Sequence, residues 1–189
     1  MRALLPLLIL LALPPIAAAA APTSYRLDPE QSLVKFTYTM SGKPGTGTMP
    51  ITRADLVLDF DTVARSTANV TLDASGTKTN YLFAADALKG ASVLDTADFP
   101  TISFVSRKVA PAPGGATIQG EVTIRGVTRP MVLDAQIYRR EGSTADDLSR
   151  LSVRLTGQIK RSEFGADGYP DLVGDIVKLD ILARLESRN

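Results

Sequence analysis

The chain has 189 residues, with 21 Lys plus Arg against 20 Asp plus Glu, a formal net charge of +1, and neither His nor Cys. That balance builds in no overall attraction to nucleic acid or to an acidic membrane surface. Without imidazole or thiol there is no Ser-His-Asp or Cys-His triad, no thiol redox chemistry, no typical zinc site and no His-ligated haem; the fold must also hold without disulfides.

Residues 1–21 carry the marks of a secretory signal peptide. Met1-Arg2 is a charged start, Ala3 to Leu13 an apolar run too short to span a membrane, Pro14-Pro15 its end, and Ala17 to Ala21 offer A-x-A cleavage points. Residues 22–189 are then expected to form a single domain, periplasmic or secreted, with no membrane span in the mature chain.

The mature chain reads almost wholly as strands. Tyr25 to Glu30 predicts a short edge segment that turns at Asp28-Pro29. Val34, Phe36, Tyr38 and Met40 alternate with Lys35, Thr37 and Thr39, the period of a half-buried strand. Ser41 to Gly47 predicts a loop, followed by a pairing segment at Thr46 to Pro50. Leu56, Leu58 and Phe60 then face one way, with Asp55, Val57 and Asp59 opposite; Val70 and Leu72 continue the series within Thr67 to Thr79. Asn69-Val70-Thr71 matches a glycosylation triplet, but its strand context is the simpler reading.

Alternation fails only over residues 80–98, where Leu82, Ala85 and Leu88 recur at helical spacing and Gly90 breaks the run. One or two short helices crossing the sheet are expected there. Ile102 and Phe104 resume the strand pattern, and Ala110 to Gly115 predicts a turn. Ala116 to Tyr138 is the clearest hairpin: Ile118, Val122 and Ile124 alternate with polar residues, as do Met131, Leu133, Ala135 and Ile137, around a break at Arg125 to Pro130. Beyond the polar stretch Arg139 to Leu148, Leu151, Val153, Leu155 and Ile159 form a further strand. Arg161 to Gly174 reads as a long loop, and Val177, Leu179 and Ile181 as the last strand.

About eight strands with apolar inner faces and short connections predict an all-β, antiparallel up-and-down barrel, because a sheet of that width tends to curl and close its edges. Such a barrel is either packed solid or holds one small ligand. The candidate lining is Val34, Phe36, Tyr38, Leu56, Leu58, Phe60, Val70, Leu72, Ile102, Phe104, Val122, Ile124, Leu133, Ile137, Val153, Leu155, Leu179 and Ile181. Tyr81, Leu82, Phe83, Leu88, Val93 and Leu94 are candidates for a helical cover over one end. Arg161, Glu163, Asp167, Asp171 and Asp175 cluster in the long loop without the spacing of a calcium site; they read as solvated charges and an Arg161 ion pair.

Several stretches, in order, resemble the YceI-like family, the lipocalin-like, polyisoprenoid-binding exported proteins of bacteria. They are Leu27-Asp28-Pro29-Glu30-Gln31-Ser32, Asp86-Ala87-Leu88-Lys89-Gly90 with Asp95, Phe99-Pro100-Thr101-Ile102-Ser103-Phe104, Gly120 to Pro130, Arg161-Ser162-Glu163-Phe164-Gly165 and Gly174-Asp175-Ile176-Val177. The resemblance implies a lipocalin-like barrel whose interior binds an isoprenoid, quinone-like or fatty long-chain amphiphile, and a homodimer. No metal and no resident cofactor are expected of this chain, which lacks His and Cys. Members commonly carry His where this chain has Gln31, near Thr39 and Met40, and at Ala87; holding a tail requires none of them. Two other readings stay open: an enzyme using carboxylate, Tyr or Lys chemistry on a lipid-like substrate, and a partner module for a membrane electron-transfer protein.

Overall fold

The computed structural model describes residues 21–81, 84–139, 142–144 and 146–188. Residues 1–20 of the expected signal peptide, 1–21, lie outside the described part, as do Leu82 and Phe83 of the expected cover. The strands are β1 (Thr23–Leu27), β2 (Leu33–Met40), β3 (Lys43–Met49), β4 (Ile51–Leu58), β5 (Thr67–Asp73), β6 (Lys78–Thr79), β7 (Thr101–Ala112), β8 (Gly115–Ile124), β9 (Val127–Arg139), β10 (Arg150–Lys160) and β11 (Ile176–Ser187). One short helix, α1 (Ala84–Lys89), interrupts them.

All pairings between strands are antiparallel, and they close into an eight-stranded up-and-down barrel. The eleven segments make eight rows because three rows are each broken once. β2 and then β1 share one edge of β11, with Leu33 opposite Leu182 and Leu27 opposite Leu185. β3 pairs with β2 while β4 pairs with β1, and β6 pairs with β3 while β5 pairs with β4. Each break has a local cause. At Asp28 the carboxylate accepts the N–H groups of Glu30 (3.0 Å) and Gln31 (3.2 Å), turning the chain. Pro50 has no N–H to give between β3 and β4. Between β5 and β6, Thr77 donates its hydroxyl to the Ala74 carbonyl (2.7 Å).

β1 is therefore not the expected edge segment. It joins β4 to β11 and closes the ring, so Tyr25 is only 1% exposed and donates its hydroxyl to the Leu148 carbonyl at 2.9 Å. Two loops expected from glycine and proline content shrink to two-residue turns. Ser41-Gly42 and Arg125-Gly126 each place both residues at positive φ (49° and 77°, 51° and 72°), the primed geometry that matches strand twist. Lys43 to Gly47 is consequently strand, and so is Pro130, which sits opposite Glu121. Pro130 is tolerated because β10 pairs with β9 only from Leu133 onward, so a missing N–H on that side costs no ladder bond.

The interior divides in two along the barrel axis. At the end holding the start of β1, Tyr25, Ala135, Leu151, Val153, Ala183 and Leu185 pack solid, with Leu58 and Ile137 against them. Toward the other end the buried residues Val34, Met49, Ile102, Val122, Ile124, Met131, Leu133 and Phe164 form a wall. The segments 80–99 and 161–174 connect rows at that second end, since β6, β7, β10 and β11 all begin or finish there.

Candidate functional site

The wall encloses a cavity of about 710 Å³. Strand period puts its residues inward, and two bulges keep them there. The extra residue between Ile51 and Arg53 flips parity, so Ile51 and Leu56 both face in despite their odd spacing. A second bulge between Ser106 and Lys108 does the same for Phe104 and Val109, both inside the barrel.

Of the expected lining, Val34, Phe36, Tyr38, Leu56, Val70, Leu72, Ile102, Phe104, Val122, Ile124, Leu133, Leu155, Leu179 and Ile181 border the cavity. Val153, Leu58 and Ile137 do not; they belong to the solid end. Phe60 lies past the end of β4 and is 36% exposed. Its neighbour Asp59, expected outside, is the buried one, at 4% exposure. There it accepts the N–H groups of Asp61 (3.0 Å) and Thr62 (2.6 Å) and the Arg65 guanidinium (2.6 Å). Those donors, led by the Thr62 N–H, hold the Asp59 carboxyl below the usual carboxylate range.

Glycine makes room for the aromatic wall. Phe36 and Tyr38 stand opposite Gly47 and Gly45, and their rings cross the space a side chain would fill. A Cβ on Gly47 would lie 2.1 Å from Phe36 Cζ, and one on Gly45 would lie 2.6 Å from Tyr38 Cζ and 3.0 Å from its Oη. The Tyr38 hydroxyl thus lies on the inner face of β3. The residue is 5% exposed, and Oη has no hydrogen-bond partner among the described residues. The neighbouring Thr79 hydroxyl donates to the Tyr81 carbonyl at 2.9 Å and lies outside hydrogen-bond geometry with Oη. Burial pushes the Tyr38 phenol above its ordinary range.

Two segments cover the mouth. From the first, Tyr81, Ala84, Ala87, Leu88, Val93 and Leu94 border the cavity; from the second, Arg161, Phe164, Ala166, Gly168, Tyr169, Leu172 and Val173. The second was expected to be a plain loop. It opens instead with a 3₁₀ turn, Arg161–Phe164, ended by Gly165 at φ 67°, which buries Phe164 over the wall. Nothing periodic in this segment could have revealed its inward residues. Met131 and Ile118, by contrast, also border the cavity and were legible from hairpin alternation.

Arg161 does not make the expected ion pair. The residue is 8% exposed, and its guanidinium is caged by four main-chain carbonyls: Gly174 (3.1 Å), Ala166 (2.5 Å), Gly168 (2.7 Å) and Val173 (2.9 Å). Five donors in a rigid fork suit a curled loop in a way that no other side chain does. Glu163, Asp167, Asp171 and Asp175 are exposed, and Asp175 accepts the Ser162 N–H at 2.9 Å. Among the described residues no group of acidic side chains is placed to hold a metal.

Arg125, from the β8–β9 turn, fastens both covers. It donates to the Val93 carbonyl (3.4 Å) and lies 3.8 Å from Asp95 on one segment, and it donates to the Gly165 carbonyl on the other. The covers also meet directly, through the Gly168 N–H and the Ser92 carbonyl at 2.8 Å.

The cavity is therefore a covered, nearly wholly apolar chamber with a solid floor. Its bordering side chains include three phenols and one caged guanidinium but no carboxylate and no lysine, so no acid/base pair converges there. It can hold an apolar chain and shield it from water. Among the described residues no helix is long and apolar enough to cross a membrane.

Comparison with known proteins gives the same picture. Residues 25–185 match the model of the YceI-like domain. Protein YceI of Escherichia coli is 27% identical over 151 residues, 78% of each chain, and a UPF0312 protein of Yersinia pestis is 26% identical over the same share. Among solved structures, Burkholderia cenocepacia BcnA superposes with a TM-score of 0.74 at 21% identity, covering 84% of this chain and 99% of that one. A polyisoprenoid binding domain from Saccharophagus degradans, described as implicated in plant cell wall breakdown, gives 0.61 at 14% identity over 88% and 99%. At those identities the two structures speak for the fold.

Proposed function

This chain belongs to the YceI-like family, and on that footing we propose that it is an exported carrier of a long-chain amphiphile, an isoprenoid, quinone-like or fatty molecule held in the barrel. The observation that carries the reading is the cavity of about 710 Å³ whose wall is apolar almost throughout. Each buried CH₂ of a chain contributes about 0.8 kcal/mol, so such a wall binds a tail tightly without specific polar contacts. The polyisoprenoid binding described for the Saccharophagus degradans domain supports the same ligand class. Of the places where the family commonly has His, one is Ala87 in this chain and another lies near Thr39 and Met40; Ala87 and Met40 border the cavity, and both are apolar.

Binding is favoured over catalysis because the chamber brings no pair of titratable groups together for proton transfer. Periplasmic or secreted location and a homodimer belong to the same reading.

Native mass spectrometry of the protein from its own host tests all three parts. The expected result is a chain shortened by the signal peptide, doubled in mass, and carrying a lipid adduct that an organic extract identifies. Protein that carries no lipid, and that takes up none when offered prenyl lipids, would refute the carrier.

A further inference from the structure

Of the polar groups that border the cavity, three phenols and one guanidinium, Arg161 and Tyr38 are the two buried ones, and their status is opposite. The Arg161 guanidinium could attract a phosphate headgroup, but four of its five N–H donors already serve main-chain carbonyls that have no other donor among the described residues. Turning it toward an anion would leave those carbonyls unpaired, at a cost similar to the gain. The Tyr38 hydroxyl, by contrast, is buried inside the barrel and makes no hydrogen bond among the described residues. Its ring is held across β3 by the space over Gly45, and Tyr81 and Thr79 lie at the same end, where the chamber meets its cover. A buried hydroxyl left unpaired destabilises the empty protein, whereas phenylalanine would fill the same space without that cost. The floor of the chamber, toward Leu56, Ile118 and Ala183, offers only apolar groups.

We propose that Tyr38 is the polar anchor of the chamber, and that the ligand is a prenyl-type chain ending in an uncharged oxygen, an alcohol or a carbonyl, in preference to a prenyl phosphate. This rests on the carrier reading and narrows it to a head chemistry. The chain lies against the apolar floor and wall, and the oxygen accepts the Tyr38 O–H beneath the cover. A diphosphate would have to shed its water in a chamber with no free cation among the described residues to replace it.

The test compares three C20 isoprenoids, phytane, geranylgeraniol and geranylgeranyl diphosphate, by displacement of N-phenylnaphthylamine from the full mature protein and from Tyr38→Phe, so that the change between the two proteins isolates the head from the saturation of the chain. The wild type is expected to bind geranylgeraniol about three- to tenfold more tightly than phytane, the worth of one net hydrogen bond, and to bind the diphosphate most weakly. Tyr38→Phe should bring the alcohol down to the level of phytane, leave phytane unchanged, and raise the Tm of the empty protein by about 2–4 °C. The anchor is overturned if Tyr38→Phe keeps the preference for the alcohol, or if the wild type takes the diphosphate as tightly as the alcohol. Equal binding of alcohol and phytane by the wild type removes the anchor and leaves the carrier standing. Binding of none of the three removes both.

Discussion

The far end of the Phe36 ring lies over Gly47, its cross-strand neighbour, so closely that a Cβ on the glycine would stand 2.1 Å from Phe36 Cζ. The barrel wall at β2 and β3 is therefore one layer thick, with the aromatic rings taking the place of the missing side chains. Gly47→Ala should force the ring into the cavity or off its rotamer, costing about 1–3 kcal/mol by overpacking. A lower urea midpoint at unchanged slope would show it, and an unchanged midpoint would mean that the ring shifts freely.

Arg161 should behave as the organiser of its segment. Arg161→Met strands four carbonyls; allowing for those that water can reach, the loss should be about 3 kcal/mol. Arg161→Lys should not rescue it, because three donors on a flexible stem cannot meet four carbonyls arrayed around a planar fork. Hydrogen exchange is the decisive reading: the Ala166, Gly168 and Gly174 amides should lose protection in both variants, while β8 and β9 keep theirs.

Removing Arg125 should unfasten the covers. It touches both segments yet does not border the cavity. Arg125→Ala should speed escape of N-phenylnaphthylamine about tenfold, the equivalent of about 1.4 kcal/mol of lost fastening, with little change in the spectrum of the bound dye. Stopped-flow displacement measures this, and an unchanged escape rate would place the exit elsewhere.

Acid should weaken the fold through three carboxylates. Asp59, Asp175 and Asp180 are held below their usual range, first by the Thr62 N–H, the Ser162 N–H and the Arg154 guanidinium respectively. A depressed folded pKa means that the unfolded chain takes up protons first. The stabilisation is thus complete above about pH 4–5, where unfolded Asp is ionised, and is lost as pH falls through the folded values. Urea midpoints should be flat near neutrality and fall below about pH 4. Asp59→Asn should flatten part of that fall.

Alternation made most of the wall readable. Side chains two apart share a face whatever the rest of the fold does, so Val34, Phe36 and Tyr38, or Ile102 and Phe104, declare their side locally. The same rule misplaced Phe60 and Asp59, because β4 ends at Leu58 and a turn centred on the Asp59 carboxylate takes over. It also missed Phe164, Tyr169 and Leu172, which border the cavity from a segment whose shape is set by a caged guanidinium rather than by any period. Arg161 itself reads as one half of an ion pair until the carbonyls are seen around it.

By itself, then, the sequence determined the strands, their inward faces, the one interruption at residues 80–98 and the family they spell out. These all rest on local patterns of two to a few residues. Only the tertiary structure decided that β1 closes the ring, that bulges keep Ile51 and Val109 inside, and that Val153, Leu58 and Ile137 fill one end while the other stays hollow. Alternation assigns a side chain to the inside but is blind to how much space the inside holds. Whether facing residues meet or leave a chamber depends on the summed volumes of side chains brought together from all eight rows, a long-range property that no single stretch contains.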